Sequence, residues 1–244
     1  MTDEPRLAYF DCASGASGEM LLAALVAAGL LEADLRDVLR PLQRAGAAFD
    51  LRIRDVRKGP VAATEVRIVD QVPNVKAHIG DMLGLIRSAN LSPSVRGPTA
   101  SILTRMVAAL AGHSGARPDD YVFDGTSGID SVVSAVGVSG ALAVLGVRTV
   151  FASPVNIGIP DPVVTELLGH APMYEDSPGV PLVTPLGAAT LGELTTEWPA
   201  SPPFAGGSVG YGAGLRDLPR PNVMRCFLGY GTIPGATQRA HPIE

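Results

Sequence analysis

Residues Ser131 to Val147 run for 17 positions without a charged side chain. Such a segment has to be withdrawn from water, in a membrane or in a protein core. A bilayer-spanning helix needs ~20 predominantly apolar residues. This run is shorter and is interrupted by three serines and three glycines. It therefore predicts a helix over Asp130 to Leu145 that is buried on all sides, and such a helix needs other elements packed around it.

The rest of the chain supplies them. Glu19 to Gly29 reads as a second helix, apolar on nearly every side. Glu32 to Ala45 is amphipathic, with Leu35, Val38, Leu39 and Leu42 on one face. Strands are expected at Leu7 to Cys12, Phe49 to Val56, Ala63 to Val69, Thr149 to Ala152 and Val223 to Leu228, the second and third joined by a Lys58-Gly59-Pro60 turn. Further helices are expected at His78 to Ser88 and Ser94 to Ala111. At Thr184-Pro185 a capping threonine precedes a proline in the first helical position, which starts a helix running to about Glu197. Three prolines from Pro154 to Pro162 forbid regular helix there, and Val163 to Leu168 makes one or two helical turns. Ser201 to Gly214, rich in glycine and proline, reads as a loop. The expectation is an α+β fold, a mixed β-sheet covered by helices, forming one domain over residues 1–230 with a loose tail over 231–244.

Charge and cysteine usage exclude several functions. The net charge is -5 and only two of the 19 basic residues are lysines, so there is no nucleic-acid footprint. Cys12 and Cys226 imply no disulfide framework. The Met1 to Arg6 segment has no apolar signal core, so a cytoplasmic location is expected, without a membrane partner.

Four segments carry a family likeness. They are Tyr9-Phe10-Asp11-Cys12-Ala13-Ser14-Gly15-Ala16-Ser17-Gly18-Glu19-Met20-Leu21-Leu22, Arg57 to Thr64, Leu182-Val183-Thr184-Pro185-Leu186-Gly187-Ala188-Ala189, and Gly210 to Asp217 followed by Arg220-Pro221-Asn222-Val223. In this order they resemble the N-terminal part of the LarC family of nickel-insertion proteins, whose opening signature has aspartate where this chain has Glu19. The resemblance implies insertion of nickel into a pyridinium dithiocarboxylate nucleotide at the expense of CTP, giving the nickel-pincer cofactor of lactate racemase. The family's CTP-binding part is a further C-terminal domain, outside the segments compared. The chain also departs from the family. A His-x-His-Glu segment corresponds to Val122-Phe123-Asp124-Gly125, and only Asp130 beyond it agrees. A histidine-bearing loop is missing between Gly158 and Pro160, and a histidine-rich middle stretch is reduced to His78.

These departures shape the functional expectation. Nickel favours imidazole and thiolate over carboxylate, and none of the four histidines stands at a metal-ligand spacing from another. The reading is a metal-independent enzyme that needs no cofactor, of cyclase or isomerase type in specialised metabolism, acting on a small-molecule substrate in a shaped pocket. Asp124, Asp130 and Asp11 are its candidate acids and bases. Ser14, Ser17, Glu19, Thr126, Ser127, Tyr211 and Arg216 are its candidate substrate contacts. The Ser14 to Gly18 loop lies between a strand and a helix, where an anion could bind; equally, Ser17 could simply cap the helix. Two alternatives stand beside this reading. One is a nickel-insertion metallochaperone, with His78, Asp81, Asp124 and Asp130 as the metal set. The other is a non-catalytic binding subunit, favoured if no pocket lies between the opening loop and the Asp130 helix. Glycine-rich apolar helices are also compatible with a homo-oligomer.

Overall fold

A computed structural model describes residues 6–72, 76–123, 127–176, 179–204 and 207–231. The first half contains strand β1 (Arg6–Asp11), helices α1 (Gly18–Ala27) and α2 (Glu32–Arg44), strands β2 (Phe49–Lys58), β3 (Val61–Asp70) and β4 (Ala77–His78), and helices α3 (Ile79–Ser88) and α4 (Pro93–Ser114). The second half contains β5 (Val122–Phe123), α5 (Ser127–Val144), β6 (Val147–Ala152), β7 (Val155–Asn156), α6 (Pro162–Leu168), β8 (Met173–Tyr174), α7 (Pro185–Leu194), β9 (Thr195–Glu197), β10 (Ser208–Ala213) and β11 (Val223–Tyr230). This is an α+β fold. Seven strands form one mixed sheet in the order β2-β3-β10-β11-β1-β6-β9. β1 runs parallel to β6 and antiparallel to β11.

The helices lie on one face of that sheet. Alternation along β1 sends Ala8 and Phe10 into the main core beneath them, while Leu7 and Tyr9 join Phe151 in a small separate cluster on the other face. The uncharged helix α5 is central. Val132, Val133, Ala135, Val136, Val138 and Ala141 are all at most 1% exposed, and α1, α2 and α4 pack around it. Each such valine contributes ~1.5–3 kcal/mol on burial, which is why the run needs no membrane. No described helix is long and apolar enough to cross one.

Two strands of the large sheet lie where none was expected. β9 takes the end of the segment read as the Thr184 helix, and β10 takes the glycine-rich stretch read as loop. The glycines of β10 have a packing role. A Cβ on Gly212 would lie 2.3 Å from the Met20 carbonyl oxygen, and one on Gly210 would lie 2.2 Å from the Ala28 nitrogen. Removing both side chains lets α1 rest on the strand backbone, so the composition that resembles a loop marks a close approach.

Candidate functional site

The site is built where β1 ends and α1 begins. Cys12 N–H donates to Ser153 Oγ at 2.9 Å, and Ala13 N–H donates to Asp11 Oδ1 at 3.1 Å. Gly15 N–H donates to Cys12 O and Ala16 N–H to Leu182 O, while Thr184 N–H donates to Ala16 O. This stitching needs Gly15, whose φ is +83° and whose Cβ would lie 2.0 Å from Leu182 O. The amides of residues 13, 15 and 16 are therefore already used, and the loop is not an open anion nest. Ser17 caps α1 by accepting from Met20 N–H, and Thr184 caps α7 by accepting from Gly187 N–H.

Two helix starts are thus pinned side by side, and the first turn of α5 meets them. Between them lies a cleft of about 390 Å³ lined by Glu19, Asp130, Ser131 and Thr184, with Tyr121 and Phe123 among its apolar walls. The two aromatic rings meet edge to face at 5.2 Å. Glu19 and Asp130 sit in the first turns of α1 and α5. A second cleft of about 240 Å³ shares Glu19 and Thr184 with the first and is lined further by Ser17, Leu182, Arg216 and Asn222. One Arg216 nitrogen donates to Pro181 O at 2.5 Å, and Asn222 Nδ2 donates to Arg216 O at 3.0 Å, which holds the guanidinium at the rim.

Other candidates lie elsewhere. Asp11 faces away from the helices, paired with Arg225 across β11. Tyr211 is on that same opposite face, since Gly210 and Gly212 on either side of it face α1. Ser14 donates its hydroxyl to Pro221 O at 3.1 Å in a smaller neighbouring recess. His78 is exposed at the start of α3, where its N–H donates to Asp81 Oδ2. Asp81 lines a different cleft with Gly128, Ile129 and Val132, the opposite side of α5 from Asp130. The alternative metal set is therefore not assembled around Asp130. Asp124 and Thr126 lie outside the described residues, as does the side chain of Ser127. Among the described residues, no three or more His, Cys, Asp and Glu side chains are grouped to hold a metal.

The remaining polar groups act as scaffolding. Burial pushes the thiols of Cys12 and Cys226 well above the usual range, which keeps them protonated in the packed core. The Lys58 ammonium, mostly buried, binds Asp217 at 2.7 Å and holds that carboxyl below the usual carboxylate range, tying the β2–β3 hairpin to the closing loop. Asn156 was not foreseen. Its Nδ2 donates to Ala13 O and Asp176 O, and its Oδ1 accepts from Gly158 and Asp176 N–H. An asparagine flanked by Val155 and Ile157 in an apolar stretch was the available signal.

A family model described as "Nickel insertion protein" matches residues 8–243. The chain belongs to the nickel insertion protein family. It is 36% identical over 240 residues to a protein of Roseiflexus castenholzii, covering 92% of this chain and 60% of that one. Two relatives are each named pyridinium-3,5-bisthiocarboxylic acid mononucleotide nickel insertion protein. That of Nocardioides sp. is 34% identical over 237 residues, 91% of this chain and 59% of its own. That of Desulfitobacterium hafniense strain DCB-2 is 34% identical over 239 residues, 92% and 58%. The chain thus spans about three fifths of the length of these relatives. No solved structure matches it. These kinships overturn the expectation of a metal-independent, cofactor-free cyclase or isomerase and point to nickel, the alternative reading. The reading of a lost metal function rested on missing histidines.

Proposed function

We propose that the paired clefts form a nickel-insertion site, with nickel as cargo. Glu19 and Asp130 hold the incoming ion. The adjoining cleft with Arg216 receives an anionic end of the organic acceptor, a pyridinium bisthiocarboxylate mononucleotide of the kind for which the relatives are named. One observation carries this reading: two carboxylates from the first turns of different helices line one cavity, and Glu19 also lines the next.

The donor set suits transfer. Carboxylate oxygens hold first-row divalent ions less tightly than imidazole or thiolate. An ion resting on Glu19 and Asp130 can pass to softer sulfur donors on the acceptor, so a shortage of histidine favours release. The Arg216 fork matches a phosphate or carboxylate group, and Ser17 and Thr184 add hydroxyls beside the positive ends of α1 and α7. The aromatic wall of Tyr121 and Phe123 offers an apolar surface to the ring.

Calorimetric titration with Ni²⁺ tests the assignment. One binding event is expected. Glu19→Gln combined with Asp130→Asn should weaken it roughly tenfold or more, while Asp81→Asn leaves it unchanged. Wild-type affinity in the double variant overturns the site.

A further inference from the structure

A second cavity, of about 370 Å³, lies at the other end of the α4–α5–α7 bundle. Its lining includes Ser94 at the start of α4, Ser139 and Leu142 on α5, Arg148 and Val150 on β6, and Leu194 at the end of α7. The span along α5 from Asp130 to Leu142 is about 18 Å at 1.5 Å per residue, so this cavity is separate from the nickel site. Nothing in the nickel-insertion reading uses it.

Two polar groups in it lack protein partners. Ser139 is 4% exposed, and its hydroxyl has no hydrogen-bond partner. A buried hydroxyl left unpaired costs ~1–3 kcal/mol, and a ligand that bonds it in the cavity recovers part of that cost. Arg148 shares the helix-facing side of β6 with Val150, and among the described residues it makes no hydrogen bond or ion pair. A cation and a buried donor thus line the same cavity, with Leu142, Val150 and Leu194 as apolar surface.

The charges choose the ligand class. Arg148 brings one full positive charge. The start of α4 adds about +0.5, and the last turns of α5 and α7 bring about -0.5 each. The sum leaves roughly half a positive charge, enough to favour a monoanion and too little for a phosphate dianion. We propose that this cavity is a binding site for a small monocarboxylate with a short apolar body. Its carboxylate bonds to the Arg148 guanidinium and the Ser139 hydroxyl, and its body lies on Leu142, Val150 and Leu194.

Valerate titrated onto the chain, followed by calorimetry and ligand-observed NMR, tests this, with acetate and inorganic phosphate as comparators. Valerate should bind best, acetate more weakly and phosphate weakest. Arg148→Ala, at an exposed position, should weaken valerate about tenfold, and Ser139→Ala roughly fivefold. Glu19→Gln should leave valerate binding unchanged, so this result is independent of the nickel titration. Ser139→Ala should also raise the Tm of the ligand-free protein by about 2 °C, because it removes an unpaired buried hydroxyl. A lowered Tm assigns that hydroxyl a structural partner and overturns the proposal. So does wild-type valerate affinity in Arg148→Ala, equal affinity for acetate and valerate, or phosphate binding as tightly as valerate.

Discussion

The two faces of the large sheet are made from alternate residues of the same strands, yet they are built to different standards. On the helix face, α1 lies directly on the backbone of β10, and Phe10, Leu21, Leu22 and Leu25 are at most 1% exposed. On the opposite face, Leu7, Tyr9 and Phe151 form a three-residue cluster, with Phe204 and Phe227 partly buried against it. Tyr9 packs edge to face on Phe227 at 5.9 Å and donates its hydroxyl to Pro199 O at 3.2 Å. Polar groups follow the same division. Glu19 and Asp130 open into clefts among helix starts, while Asp11, only a few positions before Glu19, is held by Arg225 on the other side. Nearness in sequence to the opening loop therefore says little about membership of the site. Strand alternation decides it.

The contrast can be broken most forcefully at β10. Gly212→Val pushes a side chain into the main chain of α1 and should cost at least ~3 kcal/mol, seen as a Tm loss beyond 10 °C or as insolubility. Val209→Ala, on the thinner face at a 43% exposed position, should change stability by less than ~0.5 kcal/mol. Comparable losses in the two variants would erase the distinction between the faces.

Asp11→Asn probes the division of carboxylates. Its partner Arg225 is 47% exposed, so solvent screening limits the loss to about 0.5–1 kcal/mol by chemical denaturation. Nickel affinity should stay at the wild-type value, and a tenfold drop would place Asp11 in the site after all.

The same face can also be probed through a proton. Burial, helped by the charge of Asp11, pushes the Tyr9 hydroxyl from its ordinary 10.0 up to about 12. The fold therefore favours the protonated phenol. Its contribution is complete below pH 10 and fades as pH rises towards 12. Denaturation between pH 10 and 12 should show a decline in stability that Tyr9→Phe flattens. An ultraviolet titration should find a tyrosine ionising near 12, and Asp11→Asn should bring it down slightly. A wild-type decline as flat as that of the variant would show that this face does not desolvate the phenol.

Much of the fold was legible because its signals are local. The 17 uncharged residues, the apolar helix after the opening loop and the Thr184-Pro185 start each have a single physical solution, and each is found within a few residues of its expected place. β10 was read as loop because glycine carries two meanings, freedom at a turn and absence of bulk at a contact. Only the neighbour, α1, distinguishes them. Of the candidate site, Glu19, Asp130, Ser17 and Arg216 meet around the shared clefts, whereas Asp11, Tyr211 and Ser14 do not line them. Thr184, read only as a cap, lines both.

The order of residues alone determined that this chain has a buried helical core beside a mixed sheet, and that it is kin to nickel insertion proteins. Those properties follow from the pattern of apolar residues and from motifs contiguous in the chain. Tertiary structure alone decided which carboxylates share a cavity. Glu19 and Asp130 are separated by more than a hundred positions, and Asp81 and Asp130 flank one helix on opposite sides. Donor geometry is a property of packed elements in space, and a linear spacing rule reads it only when the donors lie on one element.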